Sequence, residues 1–526
     1  MLKRHFDHYL RHLDRDIPAG VVVFLVALPL CLGIAVASGA PPFSGVIAGI
    51  VGGLVVAVVS GSQLSVSGPS PAPTVIVAGA VATLGYNGLL TAVVISGLIQ
   101  VAMGYLRVGI IGAVFPSSVI KGMLAAIGII LIMKQFPHAV GYDADADSDL
   151  SFLEGDSHTT LSVISDALNS ISPGATLVAL VSCLILLLWE TRWIKANRFL
   201  AIVPSALLAV GAGIAINSLA QAFFPSFVVA SQHLVALPKM SGPMDFVREF
   251  SLPDFSRFLD PQAYVIGATL ALVGSLETLL SLEAVDKLDP LRRVAPTNQE
   301  LKAQGVGNLV SGLIGGLPIT AVIIRSSANI NAGAQTKVAA FVHGLLLMLS
   351  VIFLGAALNM IPLACLAAVL LITGYKLARP ALFIEQYQRG VNQFVPFIVT
   401  IAAILATDLL KGMGIGLAVG LFFVLRANYH SAFTLTRDGK NYLLRLQKDV
   451  SFLNKGPLRE HLLKIEEGAY LLIDGSRVAF IDQDILETLE DFIKAASVSN
   501  IRIEMKNLRG IAMESDGPRM EAPAQG

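Results

Sequence analysis

A glutamate and an arginine stand in stretches of this chain that are otherwise apolar. Glu277 lies in Ala271-Leu-Val-Gly-Ser-Leu-Glu-Thr-Leu-Leu-Ser281 and is the only acidic or basic residue between Pro261 and Leu282. An ionised carboxylate in such a span is costly, so Glu277 is expected to be protonated, paired with a cation or turned to water. Each option is coupling chemistry. The alternative, a carboxylate that snorkels to the membrane surface, asks a short stem to climb about 10 Å toward Glu283 and Asp286, at about 1.5 Å per residue. Arg325 lies in Val322-Ile-Ile-Arg-Ser-Ser-Ala-Asn-Ile-Asn-Ala-Gly333. Arginine stays protonated, so it supplies fixed positive charge, either as a ligand of an anion or as a structural group paired with a carboxylate elsewhere.

Both lie near segments interrupted by Gly and Pro. One is Ser65-Val-Ser-Gly-Pro-Ser-Pro-Ala-Pro-Thr74, the other Gly315-Gly-Leu-Pro-Ile-Thr-Ala-Val322. Proline is favoured in the first turn of a helix, so Pro69 and Pro71 predict a helix start after Gly68, and Pro318 with Thr320 predict a second. If the two halves of the chain are inverted repeats, both N-termini meet near the membrane midplane. Their unpaired N–H groups then face one small volume suited to an anion. The plainer reading is two kinked helices, but free backbone at membrane depth is tolerated only when buried in protein or lining a cavity.

The elements that must position these groups are membrane spans. Hydrophobic residues make up 54% of the 526 and charged residues 14%, with mean hydropathy +0.71. That leaves too little charge to coat a soluble surface of this size. Apolar runs long enough to cross the bilayer fall at 18–38, 43–60, 88–106, 108–134, 174–190, 200–218, 261–282, 299–316, 336–355, 359–378, 391–409 and 412–429. Two shorter runs, 69–83 and 320–331, bring the count to fourteen helices. With the N-terminus inside, the basic clusters at Arg107, Arg192 to Arg198, Lys287 to Lys302 and Lys376 to Arg389 all fall on the cytoplasmic side. A multi-pass inner-membrane protein with both termini cytoplasmic is expected. Residues 1–17 form the cytoplasmic N-terminus, whose charges leave no apolar core for a cleavable signal, and 18–430 the transmembrane domain.

Residues 439–508 read as a short α/β domain, with strands at Tyr442–Leu446, Ala469–Ile473 and Ile501–Met505 and a helix at Gln483–Ala495; 509–526 reads as a disordered tail. The 37 basic and 37 acidic residues balance, so no net charge recruits nucleic acid. Cys31, Cys183 and Cys365 sit in apolar runs as small hydrophobes. His343 reads as a hydrogen-bonded interior histidine. No nucleophile with a base, and no metal cluster, marks an enzyme in the soluble part.

Ser65-Val-Ser-Gly-Pro69, the Glu277 helix, Gly305-Val-Gly-Asn308 before Gly315-Gly316, and Arg325-Ser-Ser-Ala-Asn329 together resemble the SulP family of sulfate-permease-like anion transporters, whose relatives include prestin and pendrin. The resemblance spans nearly the whole chain. It implies an α-helical polytopic protein of fourteen transmembrane helices in a 7+7 inverted repeat, split into core and gate domains, with a cytoplasmic STAS domain. It also implies a homodimer in the lipid bilayer that works by an elevator movement of the core. The anion would sit between Ser67, Gly68, Ser70 and Thr74 on one side and Thr320, Ala321 and Val322 on the other, with Arg325 nearby. Glu277 matches the position that couples transport to protons, or as an aspartate to sodium, so a co-transported proton is expected, sodium remains open, and no resident cofactor is expected.

The chain departs from many relatives at Pro29-Leu30-Cys31, where they carry Pro-Gln, and at Ala321-Val-Ile323, where they are richer in Ser or Gly. Recognition at 321–323 is thus expected to lean on backbone N–H groups. Leu472-Ile-Asp-Gly-Ser476 matches a strand and turn where related anti-sigma antagonists carry a phosphorylatable serine, but the favoured reading of Ser476 is a plain turn residue. The implied activity is proton-coupled sulfate symport. Bicarbonate is the competing substrate, and a passive exchanger or channel the competing class.

One external segment carries a separate signal. Asp143, Asp145 and Asp147, with Glu154 at the twelfth position, reproduce the spacing of a calcium loop, with Ser148 in place of its glycine. It is read either as a calcium site or as a solvated acidic loop.

Overall fold

The computed structural model describes residues 12–110, 116–142, 167–168, 170–191, 194, 203–238, 240, 242–407, 409–429, 433–447, 449–478, 480–496 and 498–507. The chain divides into two compact units, Met1–Leu417 and Ala418–Gly526.

The first unit is helical. Its helices are α1 (Leu13–Ala37), α2 (Pro42–Val59), α3 (Pro71–Tyr105), α4 (Ser117–Ala139), α5 (Pro173–Trp189), α6 (Ser205–Phe223), the short α7 (Pro243–Arg248), α8 (Pro261–Leu288), α9 (Thr297–Leu313), α10 (Ile323–Asn331), α11 (Val338–Leu358), α12 (Leu363–Leu377), the short α13 (Pro380–Gln388), α14 (Val391–Ala406) and α15 (Leu409–Tyr429), which runs on into the second unit. Helix α3 is broken at Gly85, whose φ of 71° and ψ of 170° belong to no helix, so it holds two spans. With α7 and α13 set aside, fourteen helical segments follow one another among the described residues. The fold is the fourteen-helix membrane architecture expected of the chain.

Boundaries moved where proline or glycine overrode the apolar run. The span expected at 108–134 is instead α4, which starts behind Pro116. The run expected to cross at 200–218 starts behind Pro204 and continues to Phe223.

Two short strands interrupt the helices. Strand β1 (Ser67–Gly68) lies between α2 and α3, and β2 (Thr320–Ala321) between α9 and α10. They pair antiparallel, Ser67 opposite Ala321 and Gly68 opposite Thr320. The order helix, helix, strand, helix thus occurs once from α1 and again from α8, with the two strands meeting head to tail as inverted repeats require.

Glycine pairs face each other at three close helix crossings: Gly53 with Gly344 (α2 and α11), Gly97 with Gly305 (α3 and α9), and Gly128 with Gly374 (α4 and α12). A β-carbon on any of the six would come within 2.5 to 2.8 Å of its partner's backbone. Small residues let backbones touch in this way, which matters where no hydrophobic effect drives helices together in lipid. With α3 counted as two spans, the first pair joins the second and eleventh spans and the second pair joins the fourth and ninth, so each is the image of the other under the repeat.

The second unit carries a four-stranded sheet in the order β3 (Phe433–Asp438), β4 (Asn441–Leu446), β5 (Tyr470–Asp474), β6 (Arg502–Lys506), antiparallel at the first junction and parallel at the next two. Helices α16 (Lys455–Leu462) and α17 (Gln483–Ala496) complete it, around a core that includes Leu444, Leu458, Leu471, Ile473, Ile485 and Leu489. It is a small α/β unit of STAS type. Strand β3 lies ahead of the boundary expected at 439, because its Phe-Thr-Leu-Thr alternation is too short to stand out beside the apolar run of α15.

Candidate anion-binding site

The site is built where β1 and β2 cross, and helix α9 holds both. Glu300, Gln304, Asn308 and Ser311 recur at helical spacing along one face of α9 and are all buried. Gln304 Nε2 donates to Ser67 Oγ at 2.7 Å. Asn308 grips the other arm at both main-chain groups of one residue, accepting from Ile319 N at 2.6 Å and donating to Ile319 O at 3.1 Å. Ser311 Oγ donates to Leu317 O at 2.7 Å. Asn308 is itself oriented by Gln100 Oε1 at 2.7 Å, and Gln100 Nε2 donates to Ser275 Oγ on α8 at 3.3 Å. From the opposite side Ser326 Oγ accepts from Val66 N at 2.9 Å and Asn329 Nδ2 donates to Leu64 O at 3.0 Å. Backbone that leaves regular structure inside a membrane protein must be satisfied by such groups.

On this frame the chemistry-bearing side chains take their places. Thr320 Oγ1 donates to Ser70 Oγ at 2.8 Å, and Ser70 Oγ donates to Glu277 Oε2 at 2.6 Å. The hydroxyls of β2 and of the α3 opening therefore run in one direction, toward a carboxylate. No cation pairs with Glu277 among the described residues, and its side chain stays partly accessible. Of the three states expected for it, pairing with a protein cation is set aside.

Arg325 sits on the far side of the opening of α3. It is fully buried, the largest such side chain among the described residues. Its Nη2 donates to Pro69 O at 3.0 Å, while Nε and Nη1 meet no acceptor among the described residues. No carboxylate pairs with it there, so its expected structural role as half of an ion pair does not hold. A β-carbon at Gly68 would collide with Arg325 Nη1, so glycine there leaves the guanidinium its place. His343 on α11 is fully buried with neither ring nitrogen partnered among the described residues, so the hydrogen-bonded histidine expected there is not observed.

Three expectations change in detail. The Ser67 hydroxyl turns to Gln304, not to the group around Ser70 and Glu277. Thr74 Oγ1 is used within its own helix, donating to Ser70 O at 3.2 Å. The N–H groups of Ala321 and Val322 are also spent, on Thr278 Oγ1 at 3.1 Å and on Val66 O at 2.9 Å. Backbone recognition at 321–323 thus falls to Ile323, the first residue of α10, because Thr278 and Val66 have already taken the two N–H groups before it. Across from it, Pro71 and Pro73 have no N–H, so Ala72 carries the donor of the first turn of α3.

Asp143, Asp145, Asp147 and Glu154 lie outside the described residues. Among the described residues no group of three or more His, Cys, Asp or Glu side chains is arranged to hold a metal ion. In the second unit Ser476 is exposed in the turn after β5, where Asn507 Nδ2 donates to its Oγ at 3.0 Å.

Residues 13–402 match the sulfate permease family. YvdB of Bacillus subtilis, named provisionally for sulfate transport, is 27% identical over 80% of this chain and 76% of its own. The bicarbonate transporter BicA of a Picosynechococcus strain is 26% identical over 78% of this chain and 70% of its own. The solved structure of SLC26A9 superposes with a TM-score of 0.77 at 15% identity, covering 95% of this chain and 85% of that one, which is a likeness of fold.

Proposed function

Because the chain belongs to the sulfate permease family, whose members are transporters and not enzymes, we propose that it is a secondary active transporter of small inorganic oxyanions, coupled to protons, with sulfate as its substrate. The observation that carries this reading is Arg325: a buried guanidinium with two N–H groups unclaimed and no carboxylate to neutralise it. An uncompensated buried cation is costly, and an anion arriving beside it removes that cost. The anion is held between the first turns of α3 and α10, with Ser70, Thr320, Ala72 and Ile323 as donors and the Arg325 charge behind Gly68.

Glu277 supplies the coupling. While it is ionised, Ser70 and Thr320 spend their protons on it and its charge repels the substrate. Once it is protonated its own O–H can donate to Ser70, and the Ser70 and Thr320 hydroxyls are both free to turn their protons to the anion. Protonation and anion binding therefore favour each other, which is the linkage that symport requires. The group comprising α1 to α3 and α8 to α11 is proposed to carry the site in an elevator movement within a homodimer, with both termini on the cytoplasmic face of an inner membrane.

Bicarbonate is the second reading, supported by the similarity to BicA. Uptake of labelled sulfate and bicarbonate into proteoliposomes under imposed proton or sodium gradients tests both. Sulfate uptake driven by a proton gradient supports the first reading. Uptake that ignores both gradients removes the symport claim.

A further inference from the structure

Glu300 stands apart from this chemistry. It is fully buried near the start of α9, and it holds both ends of the segment that leads from α2 into β1. At the beginning of that segment Ser60 Oγ donates to Glu300 Oε2 at 2.5 Å. At its end Gln304 Nε2 donates both to Glu300 Oε1 at 2.8 Å and to Ser67 Oγ at 2.7 Å. One carboxylate thus brackets residues 60–67. The charged groups within electrostatic reach of it are Asp286 on α8 and Lys337 ahead of α11. Lys337 Nζ donates instead to the carbonyls of Val58 and Ser60 at 2.9 and 3.4 Å, so among the described residues Glu300 is bonded only by neutral donors.

A carboxylate can only accept. While ionised it obliges Gln304 to present its NH2 group, which makes Ser67 an acceptor and leaves Gln304 Oε1 without a partner. A proton on Glu300 makes one oxygen a donor, and Gln304 Oε1 becomes the natural acceptor once the amide turns over. Ser67 must then donate where it had accepted. Two hydrogen-bonding arrangements of one network therefore differ by one proton, and β1 is attached to the end that changes.

Resting on the transport reading above, we infer that Glu300 is a second proton-binding group, distinct from Glu277, that positions β1 through Gln304 and so sets anion affinity from the face of the membrane where α9 begins. Ionised Glu300 holds the strand and the anion; protonated Glu300 loosens both.

The test is anion uptake by reconstituted protein, with KM and maximal rate for sulfate and bicarbonate measured while the pH on each side is varied separately. With Glu277→Gln as the common background and anion exchange as the readout, so that Glu277 no longer titrates, acidifying the side nearer Glu300 in the otherwise wild-type chain raises KM about fivefold, the worth of one hydrogen bond, and leaves the maximal rate within about twofold. Glu300→Gln, which mimics the protonated form, holds KM near the acidic value of that background at every pH. Gln304→Leu does the same, and the double variant is no worse than either single one, because both break one linkage. Should Glu300→Gln fail to reach the membrane, Gln304→Leu alone decides by the same flat profile. A profile in the variants that still follows the wild type, or losses that add, overturns this inference and leaves the transport reading standing. A wild-type chain that takes up neither anion overturns the transport reading and this inference with it.

Discussion

The Ser70 hydroxyl donates to the Glu277 carboxylate at 2.6 Å, joining the opening of α3 to the middle of α8 across 207 positions of sequence. The contact ties the one accessible carboxylate of the site to a hydroxyl that stands at a helix N-terminus, so the ionised carboxylate and the anion contend for the same donor.

Replacing Glu277 with glutamine removes the titration and keeps the shape. Concentrative uptake under a proton gradient is expected to fall roughly 5- to 150-fold, the range of a typical coupling free energy, while exchange of labelled for unlabelled anion persists. Undiminished gradient-driven uptake by Glu277→Gln takes this residue out of the mechanism.

The contact between Gly68 and Arg325 gives a steric test. In Gly68→Ala the new methyl group displaces Arg325 Nη1 and weakens the bond from the guanidinium to Pro69 O. Losing a hydrogen bond from a charged donor corresponds to roughly a ten- to hundredfold rise in KM for the anion. Gly211→Ala is the control, because a β-carbon there meets nothing within 4 Å. Equal KM values for the two variants would show that the guanidinium's position does not matter.

Arg325 also sets stability against function. Arg325→Met replaces an uncompensated buried charge with apolar volume and is expected to stabilise the anion-free protein by roughly 1–4 kcal/mol. The same variant loses the thermal stabilisation that sulfate confers on the wild type. Thermal unfolding in detergent, with and without sulfate, reads both effects. A variant less stable than the wild type in the absence of anion contradicts the idea of an unpaid charge.

In the second unit the Asp474 carboxyl is held down to about 2, first by hydrogen bonding to Ser476 and then by Arg445, whose Nε lies 3.1 Å away. Its folded value lies below the ordinary 3.8, so the stability it contributes is present above that pH and is lost as pH falls through about 2. Asp474→Asn is expected to speed hydrogen exchange in β5 at neutral pH and to narrow the difference between neutral and acidic conditions. Exchange rates in β5 unchanged by the substitution would deny the carboxylate that role.

The spans were legible because a bilayer demands about 20 apolar residues per crossing and leaves few other patterns available. Glu277 and Arg325 were legible for the same reason, as charges against an apolar background. Glu300 was not, since Asn298, Gln299 and Lys302 surround it and make the start of α9 look like a membrane surface. Its signal was the recurrence of Glu300, Gln304, Asn308 and Ser311 on one face of a helix that must lie within the membrane. Ser67 and the N–H groups of Ala321 and Val322 looked available because two-residue strands are too short to show an alternating pattern, so nothing announced that Gln304, Thr278 and Val66 would claim them.

The three glycine pairs bear on motion. Gly53 with Gly344 and Gly97 with Gly305 press backbone against backbone inside the group that carries Glu277 and Arg325, while Gly128 with Gly374 does so inside the remaining helices. Among these pairs none joins one group to the other. Where main chains touch, a shift of even one ångström has no side chain to absorb it, so each group behaves as a welded block. The joint between the blocks, lined by side chains such as Leu370 against Gly33, is the softer material. The proposed elevator movement would then slide along that plane, set by the distribution of a single residue type, and filling one of these glycines would push the helices of a block apart without touching the substrate.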